Sequence, residues 1–540
     1  MDKLDVLMQQ GEKLFTDRAP LVNLWQLLAE HFYPERADFT SNRALGEEFG
    51  VNLMSSYPVQ LRRDLGDSLS SILRPTNKEW MHTRVKKKWD KVGVEARAWL
   101  EWVEGMQRRA MYDSNSMFVR ATKQTDHDFA FSGQGVIQPS LNRNADGLLF
   151  RNWHLRDVCW AEDETGKICM VFRKAMHKVY DISRWFPKTM HPKLSEKLEK
   201  EPFTEVLMWH VVVPSDRWEL HGNQHKYASI YIDPTNKHVM EEKPSRSLGY
   251  IIPRWSLASG SQYALSPATT VAYADARMLQ AMIGVLLEAG EKAVNPPMVA
   301  NKDIFGGAFS LYPGGTTWAD FGGNDGGRIQ DSYGVLPSDK NGIPFGLDMA
   351  RDVREGLRSA FFIDKLSLPP AGQEMTAYEV GQRVQEYIRQ AMPLFEPMEQ
   401  EYNGPLCREV FDLMFYAGAF GSADNIPEEL QGEEIEFSFE SPLHDAIEEA
   451  KAQKFREAKA LIVEAVDQDP TVVHIMDFKK ALRDVLKGSR TPAAWLRTDA
   501  EATARANDEE NSMKQSQILE QMQQSADVAK TMGETSNLAQ

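Results

Sequence analysis

Cysteine is scarce in this chain, since only Cys159, Cys169 and Cys407 occur among 540 residues. Three scattered cysteines are too few for a disulfide framework or a cysteine-ligated zinc site, which indicates a reducing compartment. Long apolar runs are missing too: the longest uncharged one, 278–287, is about half of the roughly 20 residues that a membrane span needs. The first residues, 1–5, lack the basic flank and apolar run of a signal peptide. We therefore expect a chain that neither crosses a membrane nor follows the standard secretory route.

Motifs of the common catalytic sites are absent as well. The chain contains no G-x-x-x-x-G-K-[ST], no H-E-x-x-H and no G-x-S-x-G. His221 and His225 have a spacing that suits a metal on a helix, but the residues between them indicate a turn between strands. Acidic pairs such as Glu433-Glu434 are typical of solvated surfaces. We expect no catalytic residue, no cofactor and no metal.

The chain also has no excess of positive charge. The formal net charge is −16, with 62 Lys and Arg against 78 Asp and Glu. A protein that binds nucleic acid over its whole surface needs basic patches that displace counterions, so this composition argues against such a protein. The hydrophobic fraction of 42% is that of an ordinary soluble protein, and the length allows several cores.

A succession of helical and strand patterns predicts an α+β, mainly helical fold. The predicted helices outside the middle of the chain are 21–32, 59–73, 94–116, 181–200, 441–466 and 472–486. The predicted strands are 131–137, the hairpin 158–172, 206–213, 227–232 and 434–440. We expect the last strand to return to the earlier sheet.

The middle of the chain predicts a stalk. A helix at 267–292 carries an apolar stripe, and a second helix is predicted at 347–361. The residues of the stripe are Val271, Ala274, Met278, Met282, Val285 and Leu286. Between the helices, 298–345 is dense in glycine and proline, which predicts turns and short strands. If the helices run antiparallel, this insert lies at the far end of a stalk. Because two helices cannot bury all of their apolar stripes against each other, we expect neighbouring subunits to cover the rest.

A loop and a long helical rod follow the stalk. Residues 361–372 include two prolines and a glycine, and we expect a flexible loop there. From Thr376 to Phe420 the apolar residues keep a helical spacing, and Thr376 with Glu379 forms a capping-box pattern at the start. Prolines inside the rod, among them Pro405, predict bends or breaks.

Several segments form a set whose order and spacing are informative. They are 160–167 (WAEDETGK), 253–255 (PRW), 263–267 (YALSP), 279–297 (ending in LLEAGEKAVNPP) and 375–380 (MTAYEV) with Arg383 and Glu386. Together they resemble the portal, or head-to-tail connector, proteins of short-tailed double-stranded DNA bacteriophages, with likeness spread over about 18–500. This chain has Ala264-Leu265 where the family usually has Gly-Arg.

The resemblance implies an elongated portal subunit, arranged in a ring of twelve. The implied regions are a wing at 1–262, a first stem helix at 263–297, a clip at 298–345, a second stem helix at 346–362, a tunnel loop at 363–375, a long kinked wing helix with a return strand at 376–443, and crown or barrel helices with a polar tail at 444–540. The implied role is a channel at one capsid vertex for DNA packaging and ejection, and it is not enzymatic.

Candidate contact residues follow from these regions. The tunnel-loop candidates are Asp364, Lys365, Leu366, Ser367 and Leu368; the stem channel candidates are Arg351, Arg354 and Arg358; the clip docking candidates are Phe305, Tyr312, Trp318, Phe321 and Arg328. Cations at constrictions can contact phosphates without sequence readout, while an otherwise acidic lining lets DNA slide. The three Arg side chains can equally form helix-surface ion pairs with neighbouring carboxylates, and Lys365 can equally be an ordinary exposed residue.

The implied partners are further copies of the chain, double-stranded DNA passing through without sequence specificity, a terminase, a tail adaptor, and capsid and scaffolding proteins, with no membrane. The implied location is the virion, after assembly in the host bacterial cytoplasm. Two alternatives stay open: a metal-dependent nucleic-acid-processing enzyme, and another virion structural protein. The helix-framed insert argues against a shell subunit, which needs a broad flat shape.

Overall fold

The computed structural model describes residues 3–44, 46–76, 79–85, 93–220, 225–295, 298–300, 333–335, 342–366, 398–421, 426–432, 434–439, 454–462, 477–488 and the single positions 495, 504, 505 and 508. The helices are α1 (Lys3–Asp17), α2 (Ala19–Phe32), α3 (Tyr57–Leu73), α4 (Val94–Met111), α5 (Phe118–Ser132), α6 (Val179–Trp185), α7 (Pro192–Lys200), α8 (Tyr273–Val294), α9 (Gly342–Ala360), α10 (Ile363–Leu366), α11 (Gly404–Tyr416) and α12 (Phe478–Gly488). Residues 454–462 are also helical.

The strands form small antiparallel sheets, so the α+β class is confirmed. They are β1 (Met81–Val85), β2 (Ile137–Leu141), β3 (Leu148–Asn152), β4 (Val158–Glu162), β5 (Ile168–Lys178), β6 (Glu205–Pro214), β7 (Tyr227–Asp233), β8 (His238–Ser245), β9 (Ser256–Leu257), β10 (Ala264–Leu265), β11 (Met298–Ala300), β12 (Tyr333–Val335) and β13 (Ile435–Phe439).

The chain divides into two compact units. The first comprises Met1–Pro75, Ser114–Asn142 and Leu149–Leu406, and the second comprises Thr76–Asp113, Arg143–Leu148 and Cys407–Gln540.

A five-stranded sheet organises one part of the first unit. Its order, β4-β5-β6-β7-β8, is that of the chain, and each strand is antiparallel to the next. One face, with Phe172 and Trp209, packs against α1. A Cβ at Gly11 would lie 2.5 Å from the Trp209 ring, so glycine there lets α1 lie directly on the sheet. The predicted hairpin is confirmed, with Cys159 opposite Phe172.

The other face of this sheet is covered at one end by α6 and α7, which bury Ile182 and Leu194 against Met208. The single helix predicted at 181–200 is therefore wrong, because the chain folds into two short helices. Pro187 has no N–H for a continued helix, and Pro192 begins the second one.

The helical core of the first unit surrounds Trp25, Phe32 and Phe129, from α2 and α5. The predicted helices at 21–32 and 59–73 are confirmed as α2 and α3. The strand predicted at 131–137 is wrong: α5 continues to Ser132, and only Ile137 begins a strand. Gly133 ends the helix at φ 78, where a Cβ would lie 2.7 Å from the backbone of Leu265.

The second unit is built on the pair β1 and β13. Thr83 lies opposite Phe437, and Val85 packs with Ala96 and Leu100 of α4. The strand predicted near 437 exists, but it pairs with β1 and not with the five-stranded sheet as we expected. The helix predicted at 94–116 ends at Met111.

Candidate functional site: the paired stem helices

The helix predicted at 267–292 is present as α8, with an irregular start; α8 and α9 are called the stem helices below. One π-helical turn, Ala268–Ala272, precedes α8. The Ser266 hydroxyl accepts a hydrogen bond from the Thr269 N–H at 3.1 Å and so caps this turn.

The two stem helices run antiparallel. A Cβ at Gly346 of α9 would lie 2.8 Å from Leu286 Cδ2, whereas a Cβ at Gly356 would lie 3.8 Å from Asp275 Oδ2. Later residues of one helix therefore meet earlier residues of the other. Glycine at 346 lets the Leu286 side chain seat against the α9 backbone.

The far end of this pair is closed by a short ladder between β11 and β12. Met298 lies opposite Val335, and Ala300 lies opposite Tyr333. The chain therefore leaves and re-enters the stem at adjacent positions. The clip docking candidates Phe305, Tyr312, Trp318, Phe321 and Arg328 lie outside the described residues.

The near end of the stem is buried in the helical core. Leu279 and Leu357 have no exposed surface, and the Phe361 ring lies 5.4 Å from the Phe32 ring. Gln280 fixes the loop before α3: its Oε1 accepts from the N–H groups of Met54 and Ser55 at 2.7 and 2.8 Å. Its Nε2 donates to the Ser55 carbonyl at 2.8 Å.

An apolar stripe runs along the outward side of α8 and of the π-helical turn before it. Val271, Met278 and Val285 are 57%, 45% and 66% exposed, and Ala274 and Ala281 are exposed between them. These five residues follow a spacing of three and four, which is the spacing of a helix–helix contact seam. The sequence pattern located most of this stripe but did not show that it is the face left uncovered.

The outward face of α9 is mixed. Phe345, Leu347 and Met349 in its first turns are 68%, 53% and 43% exposed, and charged side chains are exposed from 348 onward. The Arg351 side chain is 69% exposed and pairs with Asp348 at 3.0 Å, three residues earlier. The Arg354 guanidinium lies 5.9 Å from the Tyr57 ring centroid, and Arg358 pairs with Asp364. The hydrogen bond and charge of Asp364 raise the pKa of Arg358. Arg351 and Arg358 therefore each form a surface ion pair, at Arg358 with a carboxylate that lies beyond the end of α9.

The segment after α9 is more ordered than expected. Phe362 has a φ of 58, which ends α9, and its ring stacks on Trp255 at 6.0 Å. The next residues, Ile363–Leu366, form the helical turn α10, so the flexible loop predicted at 361–372 is wrong for these residues. Asp364, Lys365 and Leu366 belong to this turn; Ser367 and Leu368 lie outside the described residues.

A buried arginine that sequence reasoning missed joins three distant segments of the first unit. Arg254 donates from Nη2 to Glu401 Oε1 at 2.8 Å and from Nε to Oε2 at 3.0 Å. It also contacts Glu162 and the Gly166 carbonyl. Burial alone lowers the pKa of Arg254, but the bonds to Glu401 outweigh it and raise the pKa.

Glu401 lies in a second π-helical turn, Glu399–Asn403, just before α11 and Pro405. The bend predicted at Pro405 thus takes the form of a widened turn. The partners of Arg254 are 92 and 147 residues away, so spacing alone could not reveal the pairing.

Within the part of the chain that the structure describes, no group of His, Cys, Asp and Glu side chains is arranged to hold a metal ion. Among the same residues, no helix has both the length and the apolarity of a membrane span.

Comparison with known proteins gives a consistent set of relatives. The "Probable portal protein" of Bordetella phage BPP-1 is 23% identical over 465 residues, covering 82% of this chain and 79% of that protein. The "Portal protein" of Salmonella phage epsilon15 is 22% identical over 334 residues, covering 60% and 58%. A chain from the virion of a native gene transfer agent particle aligns with a TM-score of 0.32 at 11% identity, over 75% of this chain and 90% of that one. Residues 4–496 match the family described as bacteriophage head to tail connecting protein, and the chain belongs to that family.

Proposed function

We propose that copies of this chain close into a ring of twelve at one capsid vertex and form the channel through which double-stranded DNA is packaged and ejected. The observation that carries this proposal is the uncovered apolar stripe on α8. From Val271 to Val285 it runs about 21 Å at the α-helical rise. An apolar seam of that length on a stem already packed on its other side needs a second protein surface, and a ring supplies one to every copy.

The charged part of the outward face of α9, from 348 onward, suits the channel wall. Asp348, Arg351 and Glu355 place both signs along it, so it can stay in contact with water while DNA passes. This differs from the acidic lining that net charge suggested. Arg351, Arg354 and Arg358 are the proposed phosphate contacts of the stem, and Lys365 is that of the tunnel loop.

The remaining regions keep their predicted roles within this proposal. Residues 1–262 and 376–443 form the wing, 263–297 and 346–362 the stem, 298–345 the clip, 363–375 the tunnel loop and 444–540 the crown or barrel. A terminase and later a tail adaptor dock on the clip, and capsid and scaffolding proteins meet the wing. The chain assembles in the host cytoplasm, acts in the virion, and has no enzymatic activity.

Electron microscopy of the purified full chain tests the proposal. We expect negative-stain images of rings with a central hole, and a mass that corresponds to twelve copies. A compact monomer at every protein and salt concentration would overturn the ring. Metal-dependent cleavage of DNA by the same preparation would favour the nucleic-acid-processing alternative.

A further inference from the structure

Arg173 is a buried cation in the middle of the five-stranded sheet. It lies on β5, opposite Val158 of β4 and His210 of β6, and is 5% exposed. Its Nε donates to the Tyr250 hydroxyl at 3.0 Å. Its guanidinium carbon lies 3.8 Å from the ring centroid of Trp153. These contacts hold the side chain in place, but none of them carries a negative charge.

The hydrogen-bond chain behind Arg173 is neutral. Because a guanidinium only donates, the Tyr250 hydroxyl must donate its own proton to His210 Nδ1, at 2.5 Å. His210 Nε2 then carries the ring proton and donates to the Ser229 hydroxyl at 2.9 Å. Burial lowers the pKa of His210 well below its usual value and raises that of Tyr250, so both groups stay uncharged at neutral pH.

No counter-ion balances this charge among the described residues. Arg173 forms no ion pair there, and its buried Nη1 has no hydrogen-bond partner. The exposed Arg151 also lacks an ion pair within the described chain. Burial, and after it the charges of Arg173 and Arg151, lower the pKa of His177, four residues along β5 from Arg173, to about 4, whereas the charge of Asp181 raises it. A buried cation without an opposite charge is costly, which makes this a place where an anion gains unusually much.

Exposed aromatic rings lie around His177 and on α6. Trp185 is 42% exposed and meets His177 edge to face at 4.8 Å. Tyr180 and Phe203 are 46% and 71% exposed, with ring centroids 6.4 Å apart. The helix α6 that carries Tyr180 and Trp185 rests on its own small core, so the rings have a firm base. Exposed Trp and Tyr next to Arg are typical of the centre of a protein–protein interface.

We propose that an acidic segment of a partner protein docks here, with a carboxylate on the exposed guanidinium of Arg151, attracted also by the buried charge of Arg173, and an apolar side chain on the aromatic rings. A planar guanidinium matches a carboxylate in a bidentate arrangement. Residues 173–200 hold eight Lys and Arg against three Asp and Glu, in a chain whose net charge is −16. The aromatic rings favour a polypeptide over duplex DNA, whose phosphates are held mainly by polar and charged groups. This contact is separate from the stem and from ring closure.

A fluorescein-labelled peptide of alternating Glu and Leu residues is the probe, and anisotropy with the full-chain protein is the measurement. We expect this peptide to bind, and its Gln-for-Glu counterpart to bind far less. Arg151→Gln, which changes an exposed residue and leaves the fold intact, weakens binding about tenfold or more, since it removes a charge-assisted bond. Lys178→Gln is the matched control. It also removes one positive charge, from the last residue of β5, and we expect the affinity for the peptide to be unchanged.

Arg173→Gln is the second variant, and it abolishes the rise in melting temperature that the Glu peptide gives the wild-type chain. Equal affinity for the two peptides, or for wild type and Arg151→Gln, would overturn the proposal. So would absence of peptide binding at millimolar concentration. Arg151-dependent binding of a short DNA duplex in place of the peptide would reassign the site to phosphate.

Discussion

The two stem helices share one packing face but differ on the other. Toward the core, Leu279 of α8 and Leu357 of α9 are equally buried. Away from it, α8 and the π-helical turn before it present Val271, Met278 and Val285. The helix α9 exposes apolar residues in its first turns, at 345, 347 and 349, and acids and arginines from 348 onward. An apolar helix face is unfavourable in water and needs a second protein surface, whereas a charged face is stable when it is hydrated. Within the proposed ring, this difference assigns the apolar seam of α8 to contact with a neighbouring copy and the charged part of α9 to the aqueous channel.

The largest effect is expected from a charge placed on the apolar face of α8. Val285→Glu puts a carboxylate in the proposed seam, and we expect rings to be lost, because burial of an unpaired charge there is prohibitive. Since Val285 is 66% exposed in the single chain, the subunit itself stays folded. Sedimentation velocity with negative-stain microscopy measures assembly, and circular dichroism checks the fold.

The matched control is Arg351→Glu on α9, which changes charge on the face proposed to be hydrated. Rings form normally in this variant. Loss of rings in Arg351→Glu and their survival in Val285→Glu would reverse the assignment of the two faces.

A smaller effect is expected where α8 holds the loop before α3. Gln280→Ala removes three hydrogen bonds and leaves the N–H groups of Met54 and Ser55 without acceptors, at a cost of about 1–3 kcal/mol. Urea unfolding measures the loss, and hydrogen exchange at residues 54 and 55 locates it. Gln60→Ala, which removes only one exposed side-chain bond, changes neither. Unchanged exchange in Gln280→Ala would show that the loop is held by other contacts.

The smallest expected effect is the difference in stability between alanine substitutions at two glycines of α9. Gly356→Ala stabilises the helix by about 0.5–1 kcal/mol, because alanine has the higher helix propensity and the nearest atom leaves room. Gly346→Ala gains less, since its methyl would meet Leu286 at 2.8 Å. Thermal unfolding in the Val285→Glu background separates this from assembly. Equal gains at both positions would contradict the close contact of α9 with Leu286.

Sequence periodicity predicted the stem well because each helix repeats its pattern over several turns. It failed where local composition and tertiary packing disagree. The glycines and apolar residues at 131–137 suit a strand, yet the core around Phe129 and Phe131 extends α5 through Ser132. The prolines after 368 suggested a loop from 361 onward, but a helical turn fits between Phe362 and those prolines.

The long-range polar contacts of Gln280 and Arg254 could not be predicted from the sequence, for a different reason. Gln280 reaches residues 225 and 226 positions away, and Arg254 reaches Glu401 across 147 positions. Nothing local in the sequence marks such partners. Arg173 is a similar case, because what distinguishes it is the missing counter-charge, and only the fold reveals that.

The ladder between Met298–Ala300 and Tyr333–Val335 has a consequence for how such a protein can change over time. Because backbone bonds hold the exit and the return of the chain about 5 Å apart, whatever lies between them can be lengthened, shortened or exchanged without disturbing the helices below. If the proposed docking role of 298–345 is right, recombination at this neck would let one pair of helices acquire a different docking segment, and so a different tail, in a single step.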